Sequence, residues 1–87
     1  MAKITIIGAG GFVFPLRLVG DILSFSELQN SQLALMDVDP KTLARTANAA
    51  RDLIAHHGLR ATILETTDRR EALRSADYVI VTFQVGG

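Results

Sequence analysis

The sequence predicts an α/β fold, a parallel sheet wound with helices, on three observations. Four apolar runs of strand length lie at 4–7, 33–36, 61–66 and 78–83. Between them, apolar residues recur every three or four positions, as on one face of a helix. The first run leads directly into Gly8-Ala9-Gly10-Gly11, a glycine-rich turn at a strand-to-helix junction. The element order is therefore βαβαβαβ. Alternation with short connections implies right-handed crossovers, and the Rossmann-like, doubly wound arrangement sets the strands 3-2-1-4.

Ile4, Ile6 and Ile7 with Thr5 between them leave no polar face, the mark of a central parallel strand. After the glycines, Phe14, Leu18, Ile22 and Phe25 follow the helical period, and Leu16, Val19 and Leu23 widen that apolar face. Pro15 fits only in a first turn, so the helix starts at 12–14. Gly20 falls mid-helix, where glycine costs about 1 kcal/mol against alanine. Close approach of helix and sheet is the expected compensation. Residues 24–31 form a polar connector with room for one short helical turn.

The second strand ends at Asp37. Asp39-Pro40 then starts a helix, with aspartate as N-cap and proline at the first helical position. Leu43, Ala47, Ala50, Leu53 and Ile54 carry the period to about His57, and Gly58 stops it. The third strand, 61–66, is more polar, as expected near a sheet edge. Asp68 with Glu71 three positions on reads as a capping box for a short helix to Ser75. The fourth strand, 78–83, is apolar enough to be central, yet the order 3-2-1-4 puts it at an edge, and edges are normally blunted. These 87 residues are therefore expected to be part of a longer polypeptide and of a larger doubly wound domain, or to have that edge covered by another chain.

Composition narrows the partners. Nine basic and nine acidic side chains cancel, which gives no electrostatic reason to expect nucleic acid or an anionic membrane. With no cysteine there is no disulfide framework, thiolate metal site or thiol nucleophile. No apolar run approaches the roughly 20 residues that cross a bilayer, and the first residues are no secretory signal. The expected compartment is the cytoplasm.

The turn at Gly8, Ala9, Gly10, Gly11, Phe12 and Val13 follows the Gly-x-Gly-x-x pattern of dinucleotide sites. Glycines let a pyrophosphate approach the backbone, while the helix start offers N–H groups and a dipole. Val13 stands where a third glycine often serves helix–strand packing, so slightly wider spacing is expected there. Asp37, at the end of the next strand, is placed to accept both hydroxyls of an adenosine ribose. It lies further along than the usual ~20 positions because the first helix and its connector are long. A carboxylate there repels a 2′-phosphate, which favours NAD over NADP. The loop with Phe83, Gln84 and Val85 either borders the cofactor crevice or is a plain end-of-strand loop. His56 and His57 sit at a helix C-terminus on different faces, a poor arrangement for a metal. Arg69, Arg70 and Arg74 interleave with Asp68 and Glu71 as a solvated, paired face, and Asp21 reads as a surface carboxylate.

Ile7-Gly8-Ala9-Gly10, Val13-Phe14, Gly20-Asp21-Ile22-Leu23, Ala34-Leu35-Met36-Asp37-Val38-Asp39-Pro40 and Ala76-Asp77-Tyr78-Val79-Ile80 with Gln84-Val85-Gly86-Gly87 resemble the amino-terminal segment of glycoside hydrolase family 4. The resemblance runs along essentially the whole chain and is nearest to the α-galactosidase and α-glucosidase branch. Members commonly carry serine where Gly11 stands, so a hydroxyl contact to phosphate is lost. The resemblance implies an NAD-dependent glycosidase of carbohydrate metabolism acting on a small-molecule glycoside. NAD takes a hydride from C3 of the sugar, the C2 proton becomes acidic, the leaving group is eliminated, water adds and the hydride returns. This lies outside the usual two-carboxylate scheme. It also implies a divalent metal, typically manganese, held by cysteine and histidine from later in the family's chain. No residue of this chain matches those motifs, so the expectation is an NAD-binding segment, residues 1–87, inactive by itself, with no catalytic or metal residue. Alternatives are the first half of a lactate/malate dehydrogenase-like oxidoreductase, or a non-catalytic nucleotide-binding or self-associating fragment.

Overall fold

The structure, a computed structural model, describes residues 1–83. In chain order these form β1 (Lys3–Ile7), a 3-10 turn (Ala9–Gly11), α1 (Val13–Leu23), a second 3-10 turn (Ser26–Leu28), β2 (Gln32–Met36), α2 (Pro40–His56), β3 (Thr62–Thr66), α3 (Arg69–Leu73) and β4 (Tyr78–Val81). The sheet order is β3-β2-β1-β4 with every pair parallel, as the alternating pattern predicts. Register aligns Ile7 with Met36 and with Val81, so β1, β2 and β4 end together beside the glycine turn.

Side chains of a strand alternate between the faces of its sheet. Ile4 and Ile6 of β1 and Leu33 and Leu35 of β2 cluster with Val19 and Leu23 of α1 and Leu43, Ala47, Ala50 and Ile54 of α2. Full burial of each large aliphatic side chain there contributes about 1.5–3 kcal/mol. On the other face Thr5 is fully buried and its hydroxyl donates to the Ala72 carbonyl of α3 at 2.5 Å. Helices thus cover both faces, which makes the sheet doubly wound.

The helix starts and stops follow local chemistry. Asp39 caps α2 by accepting the Lys41 N–H at 2.9 Å, with Pro40 in the first turn, and Gly58 takes φ 62 beyond its end. Asp68 accepts the Arg70 N–H at 2.9 Å. The predicted capping box is only half made: the Asp68 N–H donates to Thr66 Oγ1 at 3.0 Å, leaving Glu71 nothing to bond there. α3 stops at Leu73, short of Ser75, which takes φ 57.

Two expectations for α1 need correction. Its buried residues are Pro15, Val19 and Leu23, whereas Phe14 and Phe25 are more than half exposed. Steps of four from Pro15 track the sheet, and Phe14 lies about 100° around the helix from that line. Gly20 does not mark a close approach: a Cβ built on it would meet nothing within 4 Å. Among the described residues the basic side chains of α3 make no ion pair either; the one ion pair joins Arg51 to Glu65 at 2.9 Å.

β3 and β4 are the two edges. β4 keeps the apolar character that suits a central strand, but one side of it is open. Tyr78 and Val81 are more than half exposed and Val79 nearly so. Ile4, Ile22, Leu28, Tyr78, Val79 and Ile80 line an apolar groove along it.

Candidate dinucleotide site

The crevice forms where the three strand ends meet the turn. Gly8 leaves β1 in the left-handed region, φ 85 and ψ 25, and its N–H donates to the Met36 carbonyl of β2 at 2.9 Å. From β4, the Thr82 N–H donates to the Ile7 carbonyl at 2.9 Å. The Thr82 hydroxyl lies 3.0 Å from both the Ile7 and Gly8 carbonyl oxygens. A Cβ on Gly8 would stand 2.6 Å from the Thr82 carbonyl oxygen, a backbone atom that cannot swing away. Glycine is required there by both its φ and its neighbour.

Gly10 is tight for a different reason. A Cβ on it would lie 2.5 Å from Thr42 Oγ1 of α2 and 2.8 Å from Asp37 Oδ2. Asp37 Oδ2 accepts the Gly10 N–H at 2.8 Å, while its Oδ1 accepts the Val38 N–H at 2.7 Å. The Gly11 N–H turns back to the Gly8 carbonyl at 3.3 Å. Three of the turn's amides, those of Gly8, Gly10 and Gly11, are therefore engaged within the protein. The open donors belong to the first turn of α1, where helix geometry leaves the leading N–H groups without partners. These carry the positive end of the helix dipole, just after the Gly11 wall of the crevice.

Gly8, Gly10, Gly11, Asp37, Asp39, Thr42 and Thr82 line the resulting crevice of about 340 Å³. It is not the largest hollow. One of about 480 Å³ lies at the other end of the sheet against Ser26, Asn30, Gly58 and Arg60, with no α-helix N-terminus among its walls. Chemistry, not volume, selects between them.

The structure brings together four of the residues singled out in the sequence: Gly8, Gly10, Gly11 and Asp37. Ala9 is fully buried beneath the turn and offers the crevice no side chain. Phe12 joins the turn to α1 at φ 67 and ψ −71, a conformation that costs a non-glycine residue on the order of 1–3 kcal/mol. Its carbonyl accepts the Leu16 N–H at 2.9 Å, and its ring lies under the Arg45 guanidinium of α2 at 4.6 Å. Val13, first in α1, is exposed. Phe83 is 82% exposed and is not among the crevice walls. Gln84 and Val85 lie outside the described residues. Sequence reasoning missed Thr42 and Thr82. Thr42 stands three positions beyond Asp39, one turn into the helix, and that spacing is the signal that finds it.

His56 and His57 contact each other edge-to-face, 5.1 Å between centroids, at the far end of α2, about 25 Å along the helix from Asp39. Among the described residues no three His, Cys, Asp or Glu gather as a metal site, and no helix is long and apolar enough to cross a membrane.

Residues 3–87 match the sequence model described as family 4 glycosyl hydrolase. The chain belongs to that family. It is 40% identical over 84 residues to an alpha-glucosidase of Erwinia rhapontici, covering 97% of this chain and 18% of the relative. It is 39% identical over 87 residues to an alpha-galactosidase of Bacillus subtilis (strain 168), covering 100% of this chain and 20% of the relative. The family 4 chain thus spans about a fifth of the length of these relatives. Among solved structures, a malate dehydrogenase from Plasmodium falciparum superposes with a TM-score of 0.74 at 28% identity, covering 100% of this chain and 26% of that one. The Rossmann-like fold is therefore shared with a dehydrogenase, while family membership follows the glycosidases.

Proposed function

We propose that residues 1–87 form the NAD-binding segment of a family 4 glycosidase acting on α-glucosides or α-galactosides. The observation that carries the reading is the make-up of the crevice. Gly8, Gly10 and Gly11 of the turn line it together with Asp37, the carboxylate just past the end of the neighbouring strand. That is the pairing of glycine turn and acidic residue by which a dinucleotide is held. Asp37 Oδ2 and Thr42 Oγ1 close on Gly10 so tightly that the position admits no Cβ.

NAD, when bound, supplies reversible hydride abstraction from the sugar. The chain's own residues bind and orient it. The leading N–H groups of α1 face the pyrophosphate, Gly8 and Gly10 let the turn pack tightly against Thr82, Thr42 and Asp37, and Asp37 accepts the ribose hydroxyls. Asp37 and Asp39 together disfavour a 2′-phosphate, so NAD is preferred to NADP.

The family resemblance extends the proposal to a divalent metal, manganese, and to a cytoplasmic enzyme. Among the described residues no group of side chains fits a metal site, so no step is routed through one and the metal is assigned to none of them. The apolar edge at β4 is proposed to be covered by other parts of the enzyme or by a second copy. Calorimetric titration with NAD and NADP tests the cofactor reading. Saturable NAD binding with weaker NADP binding is expected; absent or NADP-selective binding overturns it.

A further inference from the structure

Phe12 is the strained joint of the site. It is not glycine, yet it holds φ 67 between the glycine turn and α1, and its carbonyl receives the first hydrogen bond of the helix. Strain of this kind persists only where surrounding contacts over-determine it. One side-chain contact on Phe12 is the Arg45 guanidinium, over the ring at 4.6 Å from its centroid. Arg45 makes no ion pair among the described residues, so its cation is directed to the ring face. It also stands one turn beyond Thr42, the residue that packs against Gly10, so one face of α2 meets both the middle of the turn and its exit at Phe12.

We infer that Arg45 is a positioning residue for the dinucleotide: stacked on Phe12, it holds the junction in the positive-φ conformation that aims the first N–H groups of α1 at the pyrophosphate. The inference rests on the NAD reading of the crevice. If the ring is released, Phe12 relaxes toward negative φ and the peptide planes on either side of it rotate. The donors then have to be reordered when the cofactor arrives, and affinity falls. A planar guanidinium stacks on a ring better than a compact ammonium, so lysine is a partial substitute.

The test is a double-mutant cycle on NAD affinity, read by calorimetry, with Arg45→Met, Arg45→Lys, Phe12→Leu and Arg45→Met/Phe12→Leu. Arg45→Met is expected to weaken NAD binding about two- to fivefold, with Arg45→Lys between it and the parent. The Arg45→Met loss is expected to vanish in the Phe12→Leu background. Upfield-shifted Arg45 side-chain proton resonances, lost in Phe12→Leu, report the stack without cofactor. Equal NAD affinity in Arg45→Met and the parent overturns the inference. A loss that persists undiminished in Phe12→Leu also overturns it, because Arg45 then acts as a charge on the ligand. A parent chain that shows the shifted resonances but binds no NAD overturns the cofactor reading, and the inference with it.

Discussion

The Asp37 carboxylate accepts the Gly10 N–H at 2.8 Å, joining the end of β2 to the turn that follows β1. One side chain thereby shapes the turn and, on the proposed NAD reading, meets the ribose. Its second oxygen is held by the Val38 N–H at 2.7 Å, so the carboxylate plane is fixed before any ligand arrives.

Asp37→Asn keeps the size of the side chain and removes the charge. Hydrogen bonds to charged groups contribute about 1.5–3 kcal/mol, so NAD affinity is expected to fall roughly ten- to hundredfold. NADP affinity is expected to change less, because the repulsion of its 2′-phosphate is relieved. Parallel titrations with both cofactors measure this. An unchanged NAD/NADP ratio sinks the assignment of Asp37 to the ribose.

Gly10→Ala puts a methyl carbon 2.5 Å from Thr42 Oγ1 and 2.8 Å from Asp37 Oδ2. Both are side-chain atoms, so relief comes by turning Thr42 to another rotamer and by giving up the Asp37 bond to the Gly10 N–H. Overpacking of this sort costs about 1–3 kcal/mol. A lower midpoint in urea is expected together with loss of NAD binding. Gly10→Ala/Thr42→Ala removes one of the two clashes and is expected to recover part of the stability.

The elements and their order were legible because each carried two agreeing signals. Asp39-Pro40 ahead of Leu43, Ala47 and Ala50 left one interpretation, and so did Ile4 to Ile7 running into glycine. Legibility failed where one residue was asked to report on a distant neighbour. Gly20 resembles a packing glycine, but whether a helix approaches a sheet closely depends on which way that position faces, and here it faces open space. Glu71 has capping-box spacing, but Thr66 reaches the same N–H first, a competition between side chains that spacing does not encode. Thr82 was hidden in the same way. The order 3-2-1-4 already set β4 beside β1, but the part of Thr82 in holding Gly8 depends on the register that aligns Val81 with Ile7, which apolar patterning does not encode.

Gly20→Ala follows from that correction. A Cβ there meets nothing within 4 Å, so alanine recovers helix propensity and limits the unfolded chain without a clash. Stabilisation of about 0.5–1 kcal/mol is expected from urea denaturation, with NAD binding unchanged. A loss of stability would mean that the helix face at Gly20 is covered.

Thr5→Val tests how so short a helix as α3 is held. Five residues are far below the ~12–15 at which an isolated helix becomes marginal, and the last carbonyls of any helix lack partners. Here β1 supplies them. The Thr5 hydroxyl donates to the Ala72 carbonyl at 2.5 Å, and Lys3 Nζ donates to the Glu71 and Arg74 carbonyls at 3.0 and 2.6 Å. Valine matches threonine in shape but leaves the buried carbonyl unpaired, which costs about 1–3 kcal/mol. Lys3→Met is expected to cost less, because its hydrogen bonds are exposed to water. Thr5→Ser keeps the hydroxyl and is expected to retain most of the stability. Amide exchange across residues 69–73 should accelerate in Thr5→Val. If α3 keeps its protection there, the helix is held by the packing of Ala72 alone and the hydroxyl contributes nothing.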